Sequence, residues 1–154
     1  MLILPLKLVN NFYMTERILS IAGKSGLFKL ISQGKNMLIV EEIATGKRRP
    51  AYMRDKVMSL ADIAMYTTDE DVPLYTIYDN ILKLEDGKVV DMSTLKDDEA
   101  VREYFAKVLP DFDRERVYTS DIRRALNWYN QLVGAGITDF VAAETEEAET
   151  EAEA

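Results

Sequence analysis

Several groups of side chains in this 154-residue chain are of types that do chemistry, and each is tested first by its spacing. Gly23-Lys24-Ser25 has the ending of a phosphate-binding loop, but that motif needs a glycine five residues before its second glycine, where Ile18 stands. Such a loop also leads into a helix whose amino end faces the anion, whereas Leu27 opens a strand-like run. Asp69-Glu70-Asp71 and Asp111-Phe112-Asp113 offer oxygen ligands of the kind Mg²⁺ and Ca²⁺ take. A calcium loop begun at Asp111 would carry glycine at its sixth position and glutamate at its twelfth, and these are Arg116 and Ile122. Both clusters read as solvated acids complementing helix starts. The chain has no histidine and no cysteine, which removes the commonest general acid/base, the commonest metal ligand and every thiolate. Carboxylate pairs can drive hydrolysis unaided, yet no pair is singled out, so the expectation is a non-enzyme with no cofactor and no metal.

The basic residues point to binding instead. Lys24, Lys29, Lys35, Lys47, Arg48, Arg49, Arg54 and Lys56 are of the type that tracks a phosphate backbone, with Lys47-Arg48-Arg49 as the densest run. Phe28, Tyr52 and Tyr66 are the aromatic residues available nearby for stacking. Arg123 and Arg124 begin a helix, but a helix-turn-helix needs a turn of three or four residues, and Pro110 to Tyr118 is too long. Trp128 lies off the apolar stripe of that helix, so it is either an inter-lobe contact or an exposed binding residue. The candidate partner-binding set is therefore Lys47, Arg48, Arg49, Arg54, Lys56 and Trp128.

The elements that position these residues divide the chain in two. Residues 17–68 carry strand-like runs broken by turns: 17–22, 27–32, 37–43, 47–52 and 63–67, with Pro50 marking an edge or bulge. Ser59-Leu60-Ala61-Asp62 reads as one capped helical turn before the last strand. Four strands, a helical turn and a fifth strand predict a small SH3-like or Tudor-like antiparallel β-barrel over 14–70, a fold-level analogy only. Beyond it the period becomes helical. Leu74, Ile77, Tyr78, Ile81 and Leu84 form one stripe, with Pro73 expected as the first helical residue. Val101, Tyr104, Phe105, Val108 and Leu109 form a second, after the acids 97–99. Ile122, Ala125, Leu126, Tyr129 and Val133 form a third, capped by Thr119 or Ser120 and ended by Gly134 and Gly136. The expected class is α+β: a β-barrel, then a three-helix lobe over 71–141, then a disordered acidic tail over 142–154.

Residues 1–13 lack the leading positive charge and cleavage site of a secretion signal, and they read as a mis-called or disordered extension ahead of Met14, or an apolar edge strand. No apolar run approaches the roughly 20 residues of a membrane span, and a reducing cytoplasm suits a chain without cysteine. Charge is segregated: residues 14–68 hold nine Lys/Arg against five Asp/Glu, residues 69–143 hold nine against sixteen, and the tail adds six glutamates to a total of −8. A tail so charged is suited to cover Lys47–Arg49 and compete with an acidic partner.

The stretches Ile21-Ala22-Gly23-Lys24-Ser25-Gly26-Leu27-Phe28-Lys29-Leu30 and Val108-Leu109-Pro110-Asp111-Phe112-Asp113-Arg114-Glu115-Arg116-Val117-Tyr118 resemble an uncharacterised protein family of Bacteroidetes bacteria, domain of unknown function 5606. The resemblance runs from about Arg17 to Phe140 and includes the segment SDIRRALNWYNQL. Such proteins usually carry a proline-containing turn at Gly23–Gly26 and often an aromatic at Arg49, so the chain departs from them there. The resemblance implies lineage and architecture and brings no activity or catalytic residue. The expected function is a non-catalytic adaptor or regulatory module that binds a protein partner, with nucleic-acid binding by the basic β face as the alternative.

Overall fold

The computed structural model describes residues 2–3, 18–52 and 54–140; the expected start at Met14 and the acidic tail lie outside these residues. In chain order the strands are β1 (Leu2–Ile3), β2 (Ile18–Ile21), β3 (Leu27–Gly34), β4 (Met37–Glu42), β5 (Arg48–Tyr52), β6 (Val57–Ser59), β7 (Ile63–Met65) and β8 (Val72–Pro73). The helices are α1 (Leu74–Leu84), α2 (Asp98–Val108) and α3 (Thr119–Gly134).

Two antiparallel sheets result, one of five strands in the order β5-β4-β3-β2-β6 and one of three in the order β1-β7-β8. Register follows the hydrophobic pattern, with Leu30 opposite Val40, Leu38 opposite Ala51 and Leu19 opposite Phe28. A shift between Leu30 and Ser32 puts a bulge in β3 and bends the larger sheet. One face carries a small apolar cluster of Leu19, Ile21, Phe28, Val40 and Ala51. Its other face contributes Ile18 and Leu27 to a much larger core shared with all three helices, in which Tyr78, Phe105, Phe112, Tyr129 and Phe140 are nearly inaccessible. Aromatic contacts knit that core, including Phe105 edge-on to Phe112 at 5.0 Å and Tyr78 against Phe140 at 5.5 Å.

The expected barrel is not formed, because the larger sheet stays open. The strand expected to complete it, 63–67, leaves the sheet: β7 pairs with β1 and β8 instead. The short β6 takes its place beside β2, and no ladder joins β6 to β5. The outer side of β5 explains why. The bond from the Glu42 N–H to the Lys47 carbonyl sets the alternation, so Arg49 and Ala51 face β4 while Arg48, Pro50 and Tyr52 face outward. Pro50 has no N–H, and the Tyr52 N–H donates to the Asp55 carboxylate at 2.8 Å. An edge stripped of two of its three donors is a poor partner for a further strand.

The helical turn lies where the sequence puts it: Leu60–Asp62 is a 3₁₀ turn, and the Ser59 hydroxyl accepts the Ala61 N–H. Pro73 differs from the expectation; it ends β8 opposite Ala64 and serves as the N-cap of α1. Asp97 caps α2 by accepting the Ala100 N–H at 2.7 Å. Neither Thr119 nor Ser120 caps α3, because the Thr119 hydroxyl accepts from Arg102 Nε at 2.9 Å. Tyr118 is the cap instead, its N–H held by the Asp121 carboxylate. At the other end Gly136, with φ of +81°, turns the chain so that the Gly136 and Ile137 N–H groups reach the Val133 and Leu132 carbonyls.

Candidate functional site

The six candidate residues fall in separate places. Lys47 is exposed in the β4–β5 hairpin, where its N–H donates to Thr45 Oγ1. Cross-strand register sets Arg48 against Glu41 at 3.7 Å, while Arg49 lies 3.8 Å from Glu42. Exposed pairs of this kind stabilise by about 0–1 kcal/mol, but they neutralise much of the densest basic run. Arg54 stacks over the Tyr52 ring at 4.9 Å, and Lys56 is exposed while its carbonyl accepts the Ala22 N–H. Trp128 is only 5% exposed and belongs to the large core.

Two concavities lie near some of these residues. The first opens at the unclosed seam of the larger sheet, a groove of about 390 Å³ lined by Met37, Leu38, Ala51, Tyr52 and Val57 with Gln33, Gly34, Asn36 and Asp55. Leu38, Ala51 and Val57 belong at the same time to the smaller apolar cluster, and Tyr52 remains 40% exposed. Exposed Lys35 and Arg54 stand beside this lining in sequence.

The second lies between the Gly23–Gly26 turn and α3. This cleft of about 330 Å³ is lined by Lys24, Ser25, Ser120, Arg123, Arg124, Asn127 and Trp128. Gly23 has φ of +83°, a left-handed conformation that glycine adopts freely. Gln131 ties the turn to the helix: its Oε1 accepts the Leu27 N–H at 2.9 Å and its Nε2 donates to the Ser25 carbonyl at 3.4 Å. A smaller hollow across the same turn joins Lys24 and Ser25 to Arg49, Phe28 and Glu42. Arg49 and Trp128 thus each line a hollow that shares Lys24 and Ser25. Arg124 and Gln131 are residues that the candidate set lacked. Their signal was present, since Ser120, Arg124, Asn127 and Gln131 repeat at helical spacing as a polar face of α3.

The acid clusters are held by local bonds. Asp113 accepts the N–H groups of Glu115 and Arg116 and the Arg116 guanidinium, and the Arg116 side-chain bond comes first among the causes that hold its carboxyl below the ordinary range. Arg114 covers the Phe112 ring at 4.0 Å and bonds the Pro110 and Phe112 carbonyls. The buried Thr67 hydroxyl organises Asp69 and Glu70. Burial pushes the Asp62 carboxyl up, and the Ser93 hydroxyl holds that of Asp91 down. Among the described residues no group of three or more acids is placed to hold a metal ion, and no helix is long and apolar enough to cross a membrane.

Family models match the two parts of the chain, the domain of unknown function DUF5606 over residues 16–60 and the domain of unknown function DUF6852 over residues 63–132. The solution NMR structure of a Bacteroides vulgatus protein is similar with 55% identity and a TM-score of 0.69, covering 84% of this chain and 93% of that one. The chain belongs to the uncharacterised Bacteroidetes DUF5606 family. No curated protein matches it. The boundary between the two family models falls at the Leu60–Asp62 turn, where this DUF5606 chain passes from its larger sheet to the smaller one. Of the two stretches that resemble the family, Ile21–Leu30 lies within the DUF5606 match and Val108–Tyr118 within the DUF6852 match.

Proposed function

We propose that this DUF5606 protein is a non-catalytic interaction module that binds a protein partner in the groove at the open seam of its larger sheet. The observation that carries this reading is the apolar concavity of Met37, Leu38, Ala51 and Val57 with Tyr52 at its mouth. An aromatic anchor over an apolar floor with polar surroundings is the anatomy of interface centres. The blunted β5 edge favours recognition through side chains over addition of a strand, because Pro50 and the Asp55-capped Tyr52 leave few outward donors. Lys35 and Arg54 beside the groove complement a partner segment that sets an apolar residue among acids.

The test is capture of partners from extract of a bacterium carrying a DUF5606 protein, followed by affinity measurement for each captured protein with wild type and Tyr52→Ala. Removing an anchor of this kind costs about 2 kcal/mol of binding, roughly 30-fold in affinity. The melting temperature should stay nearly constant, because Tyr52 is 40% exposed and contributes little core. Partners that bind both forms equally would place recognition elsewhere.

A further inference from the structure

The cleft between the Gly23–Gly26 turn and α3 holds features that folding does not use. Arg123 is engaged structurally, its guanidinium donating to the Leu95 and Lys96 carbonyls and lying 3.4 Å from Asp98. Its neighbours are different. Lys24 and Arg124 are both exposed, and among the described residues neither has an ion pair or hydrogen bond through its side chain. The Ser25 and Ser120 hydroxyls are likewise unengaged. In a chain of net charge −8, two unpaired cations brought to one cleft from positions 100 residues apart, with no carboxylate in its lining, form an electropositive hollow without internal compensation. The contrast with the hollow across the turn is direct, since there Arg49 is answered by Glu42.

We propose that this cleft binds the phosphate group of a small phosphate-bearing ligand, with Lys24 and Arg124 as its cationic clamps and Ser25 and Ser120 as hydroxyl donors. Two cations and several neutral donors match the three acceptor oxygens of a phosphate better than the two of a carboxylate. A volume of about 330 Å³ is near the lower end of small-ligand sites. A nucleic-acid strand continuing past the turn would meet Glu42, which favours a compact ligand over a polymer. Gln131 fixes the turn against α3 and so pre-organises the two clamps before the ligand arrives.

The single tryptophan of the chain, Trp128, lines the cleft and provides the readout. The full-length protein is titrated with inorganic phosphate, pyrophosphate or ribose 5-phosphate at constant ionic strength, following Trp128 emission and its indole N–H resonance. Saturable change with any of these probes, absent with potassium chloride, is expected. Lys24→Gln and Arg124→Gln should each weaken it roughly tenfold, because each removes a charge-assisted hydrogen bond. Both positions are exposed and unpaired, so these variants keep the wild-type melting temperature. A response that does not saturate, or that survives in the double variant, overturns the proposal. So does binding of a short oligonucleotide where all three phosphate probes fail, which would assign the cleft to a strand instead. Tyr52→Ala should leave the response unchanged, which separates this cleft from the groove at the sheet seam.

Discussion

Gln131→Leu tests how the turn and α3 are held together. The Leu27 carbonyl accepts the Ile43 N–H at 3.0 Å, while the Leu27 N–H donates to Gln131 Oε1 at 2.9 Å from a residue that is inaccessible to solvent. Leucine fills similar space and offers no acceptor. An unsatisfied buried N–H costs about 1–3 kcal/mol, and the longer bond from Nε2 to the Ser25 carbonyl adds little. Taking about 2 kcal/mol and the per-residue unfolding entropy of a fold this size, the melting temperature should fall by about 6–10 °C. Thermal unfolding followed by far-UV circular dichroism measures this directly. Asn127→Ala serves as control, since Asn127 lines the same cleft one helical turn earlier without bonding into the sheet, and its effect should stay within about 0.5 kcal/mol. A shift for Gln131→Leu no larger than that of the control would refute the reasoning, because it would mean that the Leu27 N–H finds another partner at no cost.

Two further outcomes follow from burial. Trp128→Ala should destabilise by about 3–5 kcal/mol, because the indole sits 5% exposed in the large core, and chemical denaturation should show it; a change below about 1 kcal/mol would return Trp128 to the surface. Tyr129 is pushed up to about 12 by burial and the nearby Glu85 charge, Tyr104 is raised further by burial and its hydrogen bond to Glu85, and Tyr78 is raised by burial. Each stays protonated in the folded protein above the pH near 10 at which it ionises in the unfolded chain, so their contribution to stability is complete below about pH 10 and is lost progressively as pH rises above it, for Tyr129 through about 12. A spectrophotometric titration at the tyrosinate band should show these tyrosines ionising together with loss of ellipticity, and a single transition near pH 10 with the fold intact would contradict it.

The helices were legible because their evidence is local. Val101, Phe105 and Val108, or Ile122, Ala125, Leu126 and Tyr129, announce a buried stripe within a few turns, and the structure buries every one of them. The strands were legible as strands, but the barrel was not testable from alternation, since closure depends on which distant strands pair. Ile63–Met65 has the composition of a strand for either sheet, and only its pairing with β1 and β8 decides. Of the two features that blunt the β5 edge, Pro50 is visible in the sequence, whereas the Asp55 carboxylate placed on the Tyr52 N–H has no signature in composition. The basic run was visible as charge, whereas its neutralisation by Glu41 and Glu42 is a matter of register across a hairpin.

The same distinction bears on where recognition is built. Lys24 and Arg124 gain meaning only when the turn of one family segment meets the helix of the other, and the contact that brings them together, Gln131 on the Leu27 N–H, crosses between residues 16–60 and 63–132. Ile18 and Leu27 enter the helical core at the same junction, so apolar burial and the polar tie act in one place. Loosening the junction should therefore weaken phosphate binding even with both clamps intact, because the entropy of ordering the turn would be added to the cost of association. The seam groove, formed wholly within the larger sheet, has no such dependence.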